Sequence, residues 1–119
     1  MKINKELLKG STKMLILEMV KDENMYGYQM IKKLKEKSNE VFDFKEGTLY
    51  PILHALEEEG LITSYWDDTT GKKRKYYAIT TKGKKSLKEK NEEWKIFSES
   101  VNRVIGGVSY DRSRKRNTG

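Results

Sequence analysis

Apolar residues crowd the first part of the chain more densely than an exposed helix tolerates. From Lys5 to Val20 the pattern predicts one helix. Over its last eight positions only Lys13 and Glu18 are polar, among Met14, Leu15, Ile16, Leu17, Met19 and Val20. Such a helix is covered on nearly all sides. Asp22, Glu23 and Asn24 are turn chemistry. A second helix is expected from near Tyr26, because Met30, Ile31 and Leu34 share one face while Lys32, Lys33, Lys35 and Lys37 point to water. An irregular stretch from Val41 to Lys45 then leads to a third helix, in which Leu49, Ile52, Leu53 and Leu56 recur at helical period. Gly60 is its expected left-handed terminator.

Beyond Gly60 the period changes. Leu61 to Asp67 and Arg74 to Thr80 are rich in Ile, Thr, Tyr and Trp, and they flank Asp68-Thr69-Thr70-Gly71-Lys72-Lys73. This reads as a β-hairpin with a charged tip. From Thr81, a candidate cap, a last helix extends to about Ile105, where Gly106 and Gly107 stop it. Leu87, Trp94 and Val101 recur at heptad spacing, Phe97 and Val104 fill the intermediate positions, and Lys90 interrupts the seam. At 1.5 Å per residue this helix is ~36 Å long, too long to bury its seam against one small body. The seam therefore predicts a symmetric homodimer through Leu87, Trp94, Phe97, Val101 and Val104, each C-terminal helix crossing the partner's first and last helices.

The fold class that follows is mainly α with a small β-hairpin. A winged helix-turn-helix occupies residues 5–80, a C-terminal dimerisation helix 81–107 and a basic tail 108–119. The tail, with Arg112, Arg114, Lys115 and Arg116 against Asp111 alone, is expected to be disordered.

Composition narrows the function classes. The chain has 119 residues, a formal net charge of +7 and no cysteine. Its length fits one domain, its charge points to a polyanion, and its lack of thiols excludes disulfides, thiolate metal sites and a cysteine nucleophile. No apolar run reaches the ~20 residues of a membrane span. Met1 to Gly10 lacks the apolar core of a signal peptide, so a cytoplasmic location is expected. A single histidine implies no zinc site, and no cofactor is implied either. Glu57, Glu58 and Glu59 point in different directions on a helix and have no nucleophile nearby, so no enzyme is indicated.

The third helix is the element suited to a DNA groove. Its apolar face leaves Thr48, Tyr50, Pro51 and His54 on or near the outer side of its first half, whereas Glu57 to Glu59 end its second half. Carboxylates repel phosphates, so the helix must enter by its N-terminal end, the positive pole of its dipole. Thr48 and Tyr50 can donate to phosphates or base edges, the Thr48 methyl and Pro51 can meet a thymine methyl, and His54 can reach further along the groove. Without Arg or Lys on this face, readout depends on phosphate contacts and DNA shape. Tyr50 has a second reading, with its ring packed on its own domain. In the hairpin, Lys72, Lys73, Arg74 and Lys75 make a basic wing. Alternation sets Arg74 and Tyr76 on one face and Lys75 and Tyr77 on the other. The competing function is a winged-helix protein-interaction module that never meets DNA.

Three stretches carry a family resemblance: Tyr26-Gly27-Tyr28-Gln29-Met30-Ile31, the run from Glu46-Gly47-Thr48-Leu49-Tyr50-Pro51 to Glu59-Gly60-Leu61-Ile62, and Lys73-Arg74-Lys75-Tyr76-Tyr77 leading to Thr80-Thr81-Lys82-Gly83. Together they resemble the PadR family of bacterial transcriptional regulators over roughly Ser11 to Leu87. The resemblance implies a homodimeric winged-helix repressor on a palindromic double-stranded operator. Thr48, Tyr50 and Pro51 would match its reading-helix positions and Lys73 to Lys75 its wing on the flanking backbone; Tyr28, His54 and Lys72 complete the residues expected to face the DNA. Gly27 and Gly47 are expected where helices approach closely, and Pro51 near the first turn of its helix. The short C-terminal region is similar to the compact subgroup that includes multidrug-binding repressors. That likeness implies a planar aromatic effector sandwiched by Trp94 and its symmetry mate, lined by Met14 and Leu17, with Ser98 adding a polar contact. Trp94 is alternatively the largest knob of the dimer core, and Lys90 and Asn91 disfavour a cationic effector.

Overall fold

The structure, a computed structural model, describes residues 3–106. Gly107 and the tail predicted to be disordered lie outside the described residues. The element order is α1 (Lys5–Lys9), α2 (Thr12–Val20), β1 (Met25–Tyr26), α3 (Gly27–Lys37), α4 (Glu46–Glu58), β2 (Ile62–Asp67), β3 (Arg74–Ile79) and α5 (Thr81–Val104). The chain divides into two compact units, one ending at Leu87 and the other beginning at Lys88.

The helix expected from Lys5 to Val20 is in fact two. Gly10 favours the helix poorly, and Ser11 donates its backbone N–H to the Leu8 carbonyl at 2.9 Å, closing α1. The Thr12 hydroxyl bonds the Lys9 carbonyl across the same break. α1 buries no residue, whereas α2 buries Ile16, Leu17, Met19 and Val20.

The first unit closes around these side chains together with Met30 and Leu34 of α3, Leu49, Leu53 and Leu56 of α4, and Tyr77 of β3. The sheet is antiparallel with strand order β1-β3-β2. Its hairpin pairs Ile62 with Ile79 and Asp67 with Arg74 at its two ends, as the period-2 pattern predicts. β1 was not foreseen. Its two residues pair Met25 with Tyr77 and Tyr26 with Tyr76, and Met25 is buried. At the far end of the hairpin Gly71, at φ +89°, turns the tip and donates to the Asp68 carbonyl.

Of the two caps expected from the sequence, one differs. Gly60, at φ +77°, ends α4 as predicted. The cap of α5, however, is Thr80 rather than Thr81, because the Thr80 hydroxyl accepts the Gly83 N–H at 2.9 Å. That hydroxyl also donates to the Gly60 carbonyl at 2.7 Å. Leu87, expected in the dimer seam, is only 5% exposed and belongs to the core of the first unit. In the second unit the helix runs to Val104, and Gly106 follows at φ +76°.

Candidate nucleic-acid interface

α3 and α4 are the helix pair that would present a reading helix. Gln29 accepts the Tyr26 N–H at 3.1 Å and so fixes the entry to α3. Gly27 is buried, and a Cβ there would lie 2.7 Å from the Tyr50 hydroxyl oxygen. The close approach expected at Gly27 is therefore real, and the half-buried Tyr50 ring packs on its own domain against it. The same expectation fails at Gly47, where an added Cβ would meet nothing within 4 Å.

Lys45 stands at the N-cap of α4 without a side-chain cap, while the Thr48 and Leu49 amides bond its carbonyl at 3.0 Å. Thr48, Pro51 and His54 are all exposed. Pro51 is not in the first turn but inside the helix, in the second turn, where its ring removes the bond to the Gly47 carbonyl. Tyr28 is exposed on α3. The carboxylates at the other end of α4 have partners within the fold: Glu57 accepts the Ser64 hydroxyl at 2.6 Å, and Glu59 pairs with Lys13. Glu57 and Glu59 thus tie the end of α4 to β2 and α2.

The wing is more aromatic than its sequence suggested. On its outer face Tyr76 stands between Tyr26, edge-on at 5.4 Å, and Tyr65, stacked at 5.7 Å. Arg74 lies 4.5 Å over the Tyr26 ring, and Asn24 donates to the Tyr65 hydroxyl at 3.0 Å. Strand alternation gave the faces of Arg74, Lys75, Tyr76 and Tyr77, but the part of Tyr26 required β1. On the other face Lys75 lies 5.9 Å from the Tyr77 ring, and Lys73 5.3 Å from Trp66. Lys72 is exposed at the tip. The Thr69 backbone N–H, bonded at 2.8 Å, holds the Asp67 carboxyl below its ordinary value.

In the second unit Trp94 is 46% exposed and Phe97 57%, their rings 5.9 Å apart. Val101 and Val104 are exposed as well. The Ser98 hydroxyl donates to the Lys95 carbonyl at 3.2 Å. In the first unit Met14 is half-buried and Leu17 is 0% exposed, so Leu17 is core rather than an open lining. Among the described residues no cluster of His, Asp or Glu is arranged to hold a metal, and no helix is long and apolar enough to cross a membrane.

Known proteins share this architecture. A transcriptional regulator from Clostridium thermocellum superposes with a TM-score of 0.79 at 34% identity, covering 85% of this chain and 99% of that one. A PadR-like transcriptional regulator from Bacillus cereus gives a TM-score of 0.76 at 34% identity over 87% and 100%. The transcriptional regulator Rv3488 of Mycobacterium tuberculosis is 29% identical over 89% of this chain and 94% of its own length. Residues 16–89 match the model of the transcriptional regulator PadR-like family. With the helix pair, the three-stranded sheet and the basic hairpin all in place, the chain belongs to that family of DNA-binding regulators.

Proposed function

We propose that the protein is a homodimeric repressor that binds a palindromic operator and is relieved by a planar hydrophobic ligand. The observation that carries this reading is the asymmetry of α4: exposed Thr48, Pro51 and His54 in its first half, and Glu57 and Glu59 bound to Ser64 and Lys13 in its second. A helix so built meets DNA by its positive end. Residues 5–80 form the DNA-binding part, with Tyr28 and the wing residues Lys72 to Lys75 on flanking phosphates. Tyr50 supports the reading helix from behind. α5, Thr81–Val104, is the dimerisation helix of this reading, and the residues beyond it supply basic charge. The seam is Trp94, Phe97, Val101 and Val104, whose exposure leaves apolar surface for a second copy. Trp94 offers an aromatic face to the ligand, with Ser98 one turn on and Met14 as adaptable lining. Ligand binding changes the spacing of the two reading helices and releases the operator.

Footprinting the purified protein on the duplex upstream of its own gene tests the core of this reading. A protected palindrome supports it. Equal affinity for operator and unrelated duplex at every salt concentration overturns it. Planar dyes titrated against Trp94 emission in a Trp66→Phe background test the effector, and an unchanged spectrum across a varied panel removes it.

A further inference from the structure

Trp66 is the most exposed large aromatic of the hairpin, with 61% of its surface in water against 40% for Tyr65. It sits on β2 directly opposite Lys75 of β3. Strand alternation puts it on the same face as Ser64 and Ile62. Ile62 is buried, and Ser64 donates its hydroxyl to Glu57 of α4, so this face of the strand is the one turned toward the reading helix. Trp66 continues that face beyond the edge of the core, toward the wing tip. The Lys73 ammonium lies 5.3 Å from its ring centroid, and Lys75 follows on the same side, over Tyr77. The nearest carboxylate in sequence, Asp67, belongs to the opposite face and accepts the Thr69 N–H. Toward the wing tip the indole is thus framed by cations, while the carboxylate on its α4 side, Glu57, is engaged by Ser64.

Resting on the DNA-binding reading above, we infer that Trp66 is a DNA-contact residue of the wing. Its indole lies against the deoxyribose rings of the duplex backbone, while Lys72, Lys73 and Lys75 take the phosphates on either side. The chemistry fits the surface. A sugar-phosphate strand alternates apolar C–H faces with anions, and the wing alternates an indole with ammonium groups. The cation over the ring restricts both side chains before binding, which lowers the entropy lost on contact. The contact reads no base. It adds affinity that salt does not screen, in contrast to the lysines, each of which contributes to the salt slope.

That contrast supplies the test. Full-length protein is titrated into a labelled mixed-sequence 40-bp duplex over a series of salt concentrations, as the parent, Trp66→Ala and Lys73→Ala. Trp66→Ala is expected to bind about tenfold more weakly, equivalent to about 1.4 kcal/mol, at every salt concentration with an unchanged slope. Lys73→Ala is expected to lower the slope by about 0.9. In a Trp94→Phe background, where Trp66 is the remaining tryptophan, the same duplex should shield its emission from acrylamide. Trp66→Ala affinity within twofold of the parent, or Trp66 emission as quenchable with DNA as without, overturns the assignment while DNA binding stands. A parent protein that does not bind the duplex overturns both readings together.

Discussion

The hydroxyl of Tyr50 occupies the space that any side chain at residue 27 would need, with a Cβ built on Gly27 falling 2.7 Å from that oxygen and 3.0 Å from the ring carbon that bears it. The glycine at the start of α3 and the tyrosine within α4 therefore set how closely the two helices approach. Gly27→Ala should cost about 1–3 kcal/mol through overpacking. Tyr50→Phe, which removes the nearer of the two atoms, should recover part of the loss. Thermal melts of the two single variants and the double variant give the coupling, and strictly additive losses would deny it.

The junction of wing and last helix should be less forgiving. A Cβ on Gly83 would stand 2.0 Å from the Leu61 carbonyl oxygen, a backbone atom that cannot step aside. Gly83→Ala is expected to cost about 3 kcal/mol or more. Thr80→Ala, which removes both the cap to Gly83 and the bond to Gly60, should cost about 1–2 kcal/mol. Denaturant midpoints rank the two, and Gly47→Ala, whose Cβ meets nothing within 4 Å, is the clash-free control, expected to leave stability unchanged or raise it by up to about 1 kcal/mol.

Burial pushes the Tyr77 phenol above its ordinary value of 10.0, with Tyr50 and Glu57 adding to the rise. The sign is that of an acid held neutral. Its contribution is complete below pH 10, where the unfolded phenol is still protonated, and is lost as pH climbs through the higher folded value. Stability measured from pH 8 upward should therefore fall in the parent beyond pH 10. Tyr77→Phe should fall less steeply over that window, and parallel curves would show that another group governs it.

The exposed seam of the second unit predicts a change of assembly state. Phe97→Glu places a carboxylate beside Trp94, whose ring now lies 5.9 Å from Phe97. Sedimentation at micromolar concentration should show the parent as a dimer and the variant as a monomer, and operator affinity should fall at least tenfold as one half-site is lost. A variant that sediments with the parent would place the interface elsewhere.

Much of this was legible before any coordinates. Helical spacing located α3 and α4, and period-2 alternation gave the hairpin and the faces of Tyr76 and Tyr77. What escaped notice had no repeat to betray it. β1 has two residues, too few for a period, and owes its existence to Tyr76 and Tyr77 across the sheet. The break at Gly10 and Ser11 was hidden by apolar residues on both sides. Thr80 and Thr81 are equivalent as letters, and only the direction of the Gly83 N–H separates them. Leu87 fits a heptad as well as it fits the core, because spacing reports which residues share a stripe and not which neighbour covers it. At the interface, Thr48, Pro51 and His54 were readable from the helical period. Trp66 was not singled out, since its position matters only once the face bearing Ser64 is known to meet α4.

The carbonyls of Glu59, Gly60 and Leu61 accept, in turn, from the Lys82 ammonium, the Thr80 hydroxyl and the Thr80 N–H. Three successive links fasten the trailing end of α4 to the root of α5. The exit of one helix and the start of the other thus share a single bonded joint. Under the proposed DNA-binding reading, a ligand that twisted the base of the final helix would thereby steer the reading helix as well.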